Sequence, residues 1–337
     1  MLKVKFIFNT NKYRTIKNNV MKKLNFSTLI FLIFLILSFE SCKHEPTLKS
    51  GEGFINVKGG KVWYRIVGEG KNTPILLLHG GPGVPSFYLN PLSALGKDRP
   101  VIFIDQLGCG RSDKITDTSL MTVENFVDQI KQIKDSLNIE DFYLYGQSWG
   151  TMLGTDFYLK YPEGIKAIIF SSPAISIPMW LQDADTLITT LPDSIQNSIN
   201  TNELNKTYES PDYQKAIIVY YQHFLARKLP WSSDIDSAFL LMGANVYNFM
   251  GGPSEFTMTG TLKSYDRTNR LSEIKVPTLF ITGEFDEARP STVKYYQSLV
   301  PGAQFELVEN AGHLTMQDDP EKNLKIITDF INGIEKK

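Results

Sequence analysis

Three observations predict an α/β fold, with a mostly parallel sheet, helices on both faces and a helical cap insertion. Short, wholly apolar runs alternate with longer amphipathic stretches, as expected for strands buried on both faces and joined by crossover helices. Residues 176–270 break that alternation with helical runs and no comparable strand. Glycine-rich or acidic segments follow the apolar runs, at the strand ends where an open parallel sheet gathers its functional groups.

Taken in order, residues 1–41 read as a signal segment, with a second possible start at Met21, and residues 42–52 as a tether. Met21-Lys22-Lys23 is a short basic start, and the apolar run from Phe26 to Phe39 has the length of a secretory h-region, too short for an ordinary membrane span. Cys42, preceded by small Ser41, resembles the acceptor of a bacterial lipoprotein signal. The expectation is a lipid-anchored protein of the bacterial cell envelope, with a plain signal peptide or an uncleaved anchor as alternatives.

The α/β core is expected over 53–175 and 271–337, with the cap over 176–270 between them. Gly53 to Val67 alternates around Gly59-Gly60, the signal of a hairpin. Ile75–Leu78, Val101–Ile104, Phe142–Tyr145 and Ala167–Phe170 read as buried strands, as do Thr278–Thr282 and Gln304–Val308. Phe126, Ile130, Ile133 and Leu137 share one face of a helix, and Thr151–Tyr161 runs helically until Pro162. Ser291–Val300 and Pro320–Ile334 supply the last core helices. In the cap, Tyr213–Arg227 and Asp236–Met250 read as single helices.

The net charge of −1 hides an asymmetry: the chain after residue 41 is acidic overall, which argues against a nucleic-acid partner. Two cysteines, Cys42 and Cys109, cannot support a disulfide framework. Cys109 reads as a small packing residue in a turn. No metal or other cofactor is expected.

The chemistry centres on Gly146-Gln147-Ser148-Trp149-Gly150, a G-x-S-x-G pentapeptide between a strand and a helix. A serine hydroxyl needs a base, and a neutral imidazole needs a carboxylate to hold its tautomer. Asp286 and His313 each follow a late strand, as Ser148 does, and the order Ser, Asp, His is that of the α/β-hydrolase fold. Ser148, Asp286 and His313 are therefore the expected catalytic triad. The oxyanion needs backbone donors, each worth roughly 3 kcal/mol; the N–H groups of Trp149 and Gly81 are the candidates, and His79 beside Gly81 reads as structural.

Five segments together resemble the proline iminopeptidase family, and within it the tricorn-interacting aminopeptidase and amino-acid amidase branch. They are His79-Gly80-Gly81-Pro82-Gly83, Asp105-Gln106-Leu107-Gly108-Cys109-Gly110-Arg111-Ser112, the serine pentapeptide, Gly283-Glu284-Phe285-Asp286-Glu287 and Gly312-His313-Leu314-Thr315-Met316. The resemblance implies a serine aminopeptidase that removes N-terminal residues, often proline, from short peptides. It also implies that Glu255 and Glu287 bind the free amino group. Near neutral pH that group is largely cationic, and a carboxylate about 4 Å away could contribute on the order of a few kcal/mol in a cleft of intermediate dielectric.

The expected partners are short peptides or amino-acid amides with a free N-terminus, with a membrane reached only through the N-terminal lipid or signal. An esterase or amidase acting on small non-peptide substrates is the alternative. A lipid-anchored binding protein with an inactive hydrolase body belongs to a different class, and the complete set Ser148, Asp286 and His313 argues against it.

Overall fold

A computed structural model describes residues 48–336. The expected signal segment and Cys42 lie outside the described residues. Among the described residues no helix is long and apolar enough to cross a membrane.

Eight strands form one sheet: β1 (Gly51–Val57), β2 (Gly60–Val67), β3 (Ile75–Leu78), β4 (Val101–Asp105), β5 (Phe142–Ser148), β6 (Ile165–Pro173), β7 (Thr278–Gly283) and β8 (Gln304–Val308), in the order β1-β2-β4-β3-β5-β6-β7-β8. The hairpin read around Gly59-Gly60 forms, and it leaves β2 antiparallel to both of its neighbours. All other pairings are parallel, so β3 to β8 end on the same edge. β3, β4 and β7 are buried along their whole length, which is why their sequences are unbroken apolar runs.

Helices cover both faces. α1 (Val123–Ser136) begins where the Thr122 hydroxyl accepts the Asn125 N–H at 3.1 Å, and it buries Phe126, Ile130 and Ile133. It packs on one face with α2 (Trp149–Lys160), while a 3₁₀ segment (Ser86–Lys97) supplies Tyr88, Leu89 and Leu92 to the other.

The stretch 176–270 holds α3 (Ile177–Ile188), α4 (Asp193–Asn205), α5 (Pro211–Phe224), α6 (Ser233–Leu240) and α7 (Ala244–Met250). α5 stops at Phe224, short of Arg227. The single helix read over Asp236–Met250 is two, because the chain turns at Met242-Gly243 to touch the core. There the Gly243 N–H donates to the Gly83 carbonyl at 2.8 Å, and a Cβ on Gly243 would lie 2.4 Å from the Gly108 carbonyl oxygen. α8 (Pro290–Leu299), α9 (Thr315–Asp318) and α10 (Pro320–Glu335) complete the core.

Two glycines test how tightly the serine turn is built. A Cβ on Gly150 would lie 2.1 Å from the Leu78 carbonyl oxygen, whereas one on Gly333, on the exposed side of α10, meets nothing within 4 Å. Gly150→Ala is expected to destabilise the fold by on the order of 3 kcal/mol, and Gly333→Ala to stabilise it by about 0.5–1 kcal/mol. Urea unfolding midpoints measure both; equal effects would contradict this packing.

Candidate active site

The site lies at the edge where β3, β5, β7 and β8 end. Ser148 closes β5 and adopts φ 52°, ψ −120°, a sparsely populated region for a residue with a side chain, at a cost of roughly 1–3 kcal/mol. Close packing holds it there: a Cβ on Gly146 would stand 2.4 Å from the Gly150 carbonyl oxygen. The Thr151 hydroxyl donates to the Ser148 carbonyl at 2.6 Å and accepts the Ala174 N–H at 3.1 Å, tying the turn to the end of β6.

Asp286 follows β7 and is fully buried. Its carboxylate accepts the Thr282 hydroxyl at 3.0 Å and the N–H groups of Gly283 and Ala288 at 3.1 and 2.8 Å. The remaining contact is to His313, with Nδ1 at 2.7 Å from Asp286 Oδ1. An ionised carboxylate accepts only, so Nδ1 carries the proton and Nε2 is left to face the cavity. The His313 backbone is fixed from the cap, since its N–H donates to the Phe224 carbonyl at the end of α5 at 2.8 Å. Its carbonyl accepts the Ser172 hydroxyl at 2.8 Å, and Trp180 of α3 packs edge-on against its ring. Burial lowers the His313 pKa, but Asp286, with Glu287 and Glu255 beyond it, outweighs burial and holds it above the ordinary value.

Ser148 and His313 line one cavity together with Gly81, Glu255 and Glu287. In this conformation the serine hydroxyl is not hydrogen-bonded to the ring, whose side-chain partner is Asp286. Such nucleophile–base contacts are commonly loose before substrate arrives.

The loop after β3 is held from beneath. His79 Nε2 accepts the Gln106 N–H at 2.8 Å, so Nδ1–H donates to the Gly80 carbonyl at 2.9 Å. Burial pushes the His79 pKa down to about 4, leaving the ring neutral and structural, as its sequence context suggested. Gly81 takes φ +110°, where a Cβ would press on the Gly83 and Val84 nitrogens. Trp149 opens α2, where an N–H has no intrahelical acceptor. Its indole N–H donates to Gln106 Oε1 at 2.8 Å. Cys109 is buried against the Gln106 carbonyl, and burial raises its thiol pKa well above the ordinary value.

Sequence reading missed the link between these loops. The Gly80 N–H donates to the Tyr88 hydroxyl at 2.6 Å, and that hydroxyl donates to Gln147 Oε1 at 2.7 Å. Gln147 Nε2 in turn approaches the His313 carbonyl at 3.4 Å. Gln147 stood inside the quoted pentapeptide and was the available signal; Tyr88 lies in a 3₁₀ segment with no pattern to mark it.

Glu287 is buried, with Oε1 lacking any hydrogen-bond partner and Oε2 4.0 Å from His313 Nδ1. Burial, reinforced by Glu255 and Asp286 against the opposing pull of His313, raises its pKa to about 8. Glu255 reaches the same cavity from the segment after α7 and accepts the Tyr247 hydroxyl. Burial raises its pKa as well, against the Tyr247 hydrogen bond and His313. Apolar groups, among them Leu225, Ile235 and Phe239, complete the wall. Among the described residues no group of three or more His, Cys, Asp or Glu side chains could hold a metal ion.

Residues 73–320 match the family model for the α/β hydrolase fold. A proline iminopeptidase of Heyndrickxia coagulans is 44% identical over 84% of this chain and 99% of that protein. The crystal structure of VinJ is similar at a TM-score of 0.82 with 32% identity, covering 85% of this chain and 100% of that one. That of the Mycobacterium smegmatis proline iminopeptidase is similar at 0.79 with 28% identity, over 84% and 98%. With a serine turn and a buried Asp–His pair at one sheet edge, two carboxylates on the same cavity, and this likeness over nearly the whole length of a relative, the chain belongs to the proline iminopeptidase family of α/β-hydrolases.

Proposed function

We propose that the protein is a metal-independent serine aminopeptidase that releases N-terminal residues, proline or other mainly apolar ones, from short peptides or amino-acid amides. The Ser148 hydroxyl attacks the first carbonyl and passes its proton to His313 Nε2, while Asp286 holds the opposite nitrogen. The negative oxygen is met by the N–H groups of Gly81 and Trp149. His313 then gives the proton to the leaving amine as the C–N bond breaks, and water releases the acyl group from Ser148 by the same relay.

One observation carries the reading. Glu287, which lines the cavity that holds Ser148 and His313, has a buried carboxylate oxygen with no partner. Buried polar groups are nearly always satisfied, so an orphan on a carboxylate that lines a cavity points to a donor supplied by the ligand. A substrate ammonium between Glu287 and Glu255 meets that demand and places the first carbonyl at the serine. Since the Heyndrickxia coagulans relative is named a proline iminopeptidase, proline is the first residue to try.

We also propose that residues 1–41 direct the chain to the bacterial cell envelope and that Cys42 carries lipid, supported by the apolar run ahead of Ser41-Cys42. The protein would then sediment with membranes and Cys42→Ser would release it; an unchanged distribution would refute the anchor.

Prolyl-, alanyl- and leucyl-naphthylamides, compared with their N-acetylated forms, test the activity. Acetylation is expected to lower kcat/KM by on the order of a hundredfold or more, because it removes the charge two buried carboxylates require. Equal cleavage of blocked and free substrates would favour the esterase or amidase reading.

Glu287 also makes a stability prediction. Between the ordinary carboxylate value of 4.5 and about 8, the folded chain holds a proton that the unfolded chain releases. Stability therefore falls as pH rises through that window. Glu287→Gln is expected to be about as stable as the parent near pH 4 and more stable near pH 9 by on the order of a few kcal/mol. Denaturant titrations at the two pH values measure it, and a pH-independent difference would contradict the buried-carboxylate account.

A further inference from the structure

Glu255 sits on a segment with no regular structure of its own. Between α7 and the 3₁₀ turn at Thr268–Glu273, the chain makes a loop closed at its base by the Gly260 N–H donating to the Gly251 carbonyl at 2.7 Å. Its tip, Ser254 to Thr257, is held by the Trp180 indole N–H donating to the Glu255 carbonyl at 3.3 Å, by Phe256 packed edge-on against Tyr220, and by a second carboxylate outside the cavity. Glu203 Oε1 accepts the Ser254 hydroxyl at 2.6 Å, and Glu203 Oε2 accepts the Thr257 hydroxyl. The Tyr213 hydroxyl of α5 donates to Oε1 as well.

The Ser254 oxygen also accepts the N–H groups of Phe256 and Thr257, at 3.2 and 3.1 Å, which folds the tip around Glu255. Glu255 thus lies between two hydroxyl residues that grip the same carboxylate. Glu203 itself stands in the last turn of α4, where the exposed helix carbonyls make a negative side chain unfavourable. An acid placed there against the helix dipole, and satisfied by three hydroxyls from α5 and the loop tip, is explained by what it holds.

We infer that Glu203 is a positioning residue for recognition of the substrate's free amino group: it fixes the Ser254–Thr257 turn and so sets where the Glu255 carboxylate stands in the cavity. The inference rests on the amine-binding reading of Glu255. Charge-assisted hydrogen bonds from hydroxyls are among the stronger ones, so losing Glu203 loosens the turn without removing any group from the cavity. The effect falls on capture of the ammonium and leaves the serine, imidazole and oxyanion donors in place.

The experiment compares kcat/KM for prolyl-naphthylamide with that for 4-nitrophenyl acetate, which carries no amine, in the full-length protein. Glu255→Gln comes first: it is expected to lower the amide-to-ester ratio, and an unchanged ratio would overturn the amine-binding reading and this inference together. Glu203→Ala is then expected to lower kcat/KM for the amide about tenfold, through KM, with ester turnover held within roughly twofold. Thr257→Val, which removes one hydroxyl and keeps the shape, should shift the ratio the same way by less, and it decides the matter if Glu203→Ala fails to fold. In the Glu255→Gln background Glu203→Ala should cost nothing further, since both act through one carboxylate. A lowered ratio in Glu255→Gln with no change in Glu203→Ala or Thr257→Val, equal losses on both substrates, or losses that add in the double variant would each overturn the role of Glu203.

Discussion

Two carboxylates and an imidazole share a buried cavity, and only part of that charge is balanced within the protein. Asp286 is fully occupied, by three donors and by His313 Nδ1. Glu287, next along the chain, has an oxygen with no partner, and Glu255 has a single tyrosine hydroxyl. Burying such groups costs free energy unless something pairs with them. Here both are pushed toward their neutral forms, and a cationic guest would reverse that. Within the protein alone the site is therefore electrostatically incomplete, and the proposed preference for a free N-terminus follows from what completes it.

The scaffold exists to keep that arrangement in place. Parallel strands bring three remote loops to one edge, and the cap reaches down to hold them: Phe224 and Leu225 carbonyls accept from His313 and Leu314, and Gly243 donates to Gly83. Tyr88 and Gln147 join the loop after β3 to the serine turn, and Gln147 approaches the His313 carbonyl. A shift in any one loop is thus felt by the other two. The strain at Ser148 is sustained by glycines at 146 and 150, whose missing side chains make room for backbone.

Much of this was legible in the sequence because it depends on local pattern. Fully buried strands must be apolar throughout, so Ile75–Leu78 and Val101–Ile104 declared themselves, and glycines 146 and 150 marked the tight turn between Ser148's strand and helix. What could not be read depends on tertiary contact. The break at Met242-Gly243 in an otherwise helical run is imposed by Gly83 and Gly108, far away in sequence. The tie from Gly80 to Gln147 runs through Tyr88, which no local pattern marks. Glu203 looks like any solvated helix glutamate until the loop carrying Ser254 and Thr257 folds onto it.

The central claim is that a substrate ammonium supplies the partner that Glu287 and Glu255 lack. Calorimetric titration of Ser148→Ala with L-prolinamide near pH 6, in two buffers of different ionisation enthalpy, tests it most directly. At that pH Glu287, with a pKa of about 8, holds a proton and the amine is already charged. Formation of the ion pair must then release about one proton from Glu287, and near pH 9.5, where the carboxylate is already ionised and the free amine is largely neutral, binding should instead take a proton up. Binding without net proton release near pH 6, or binding of N-acetylprolinamide as tight as that of prolinamide, would contradict the account.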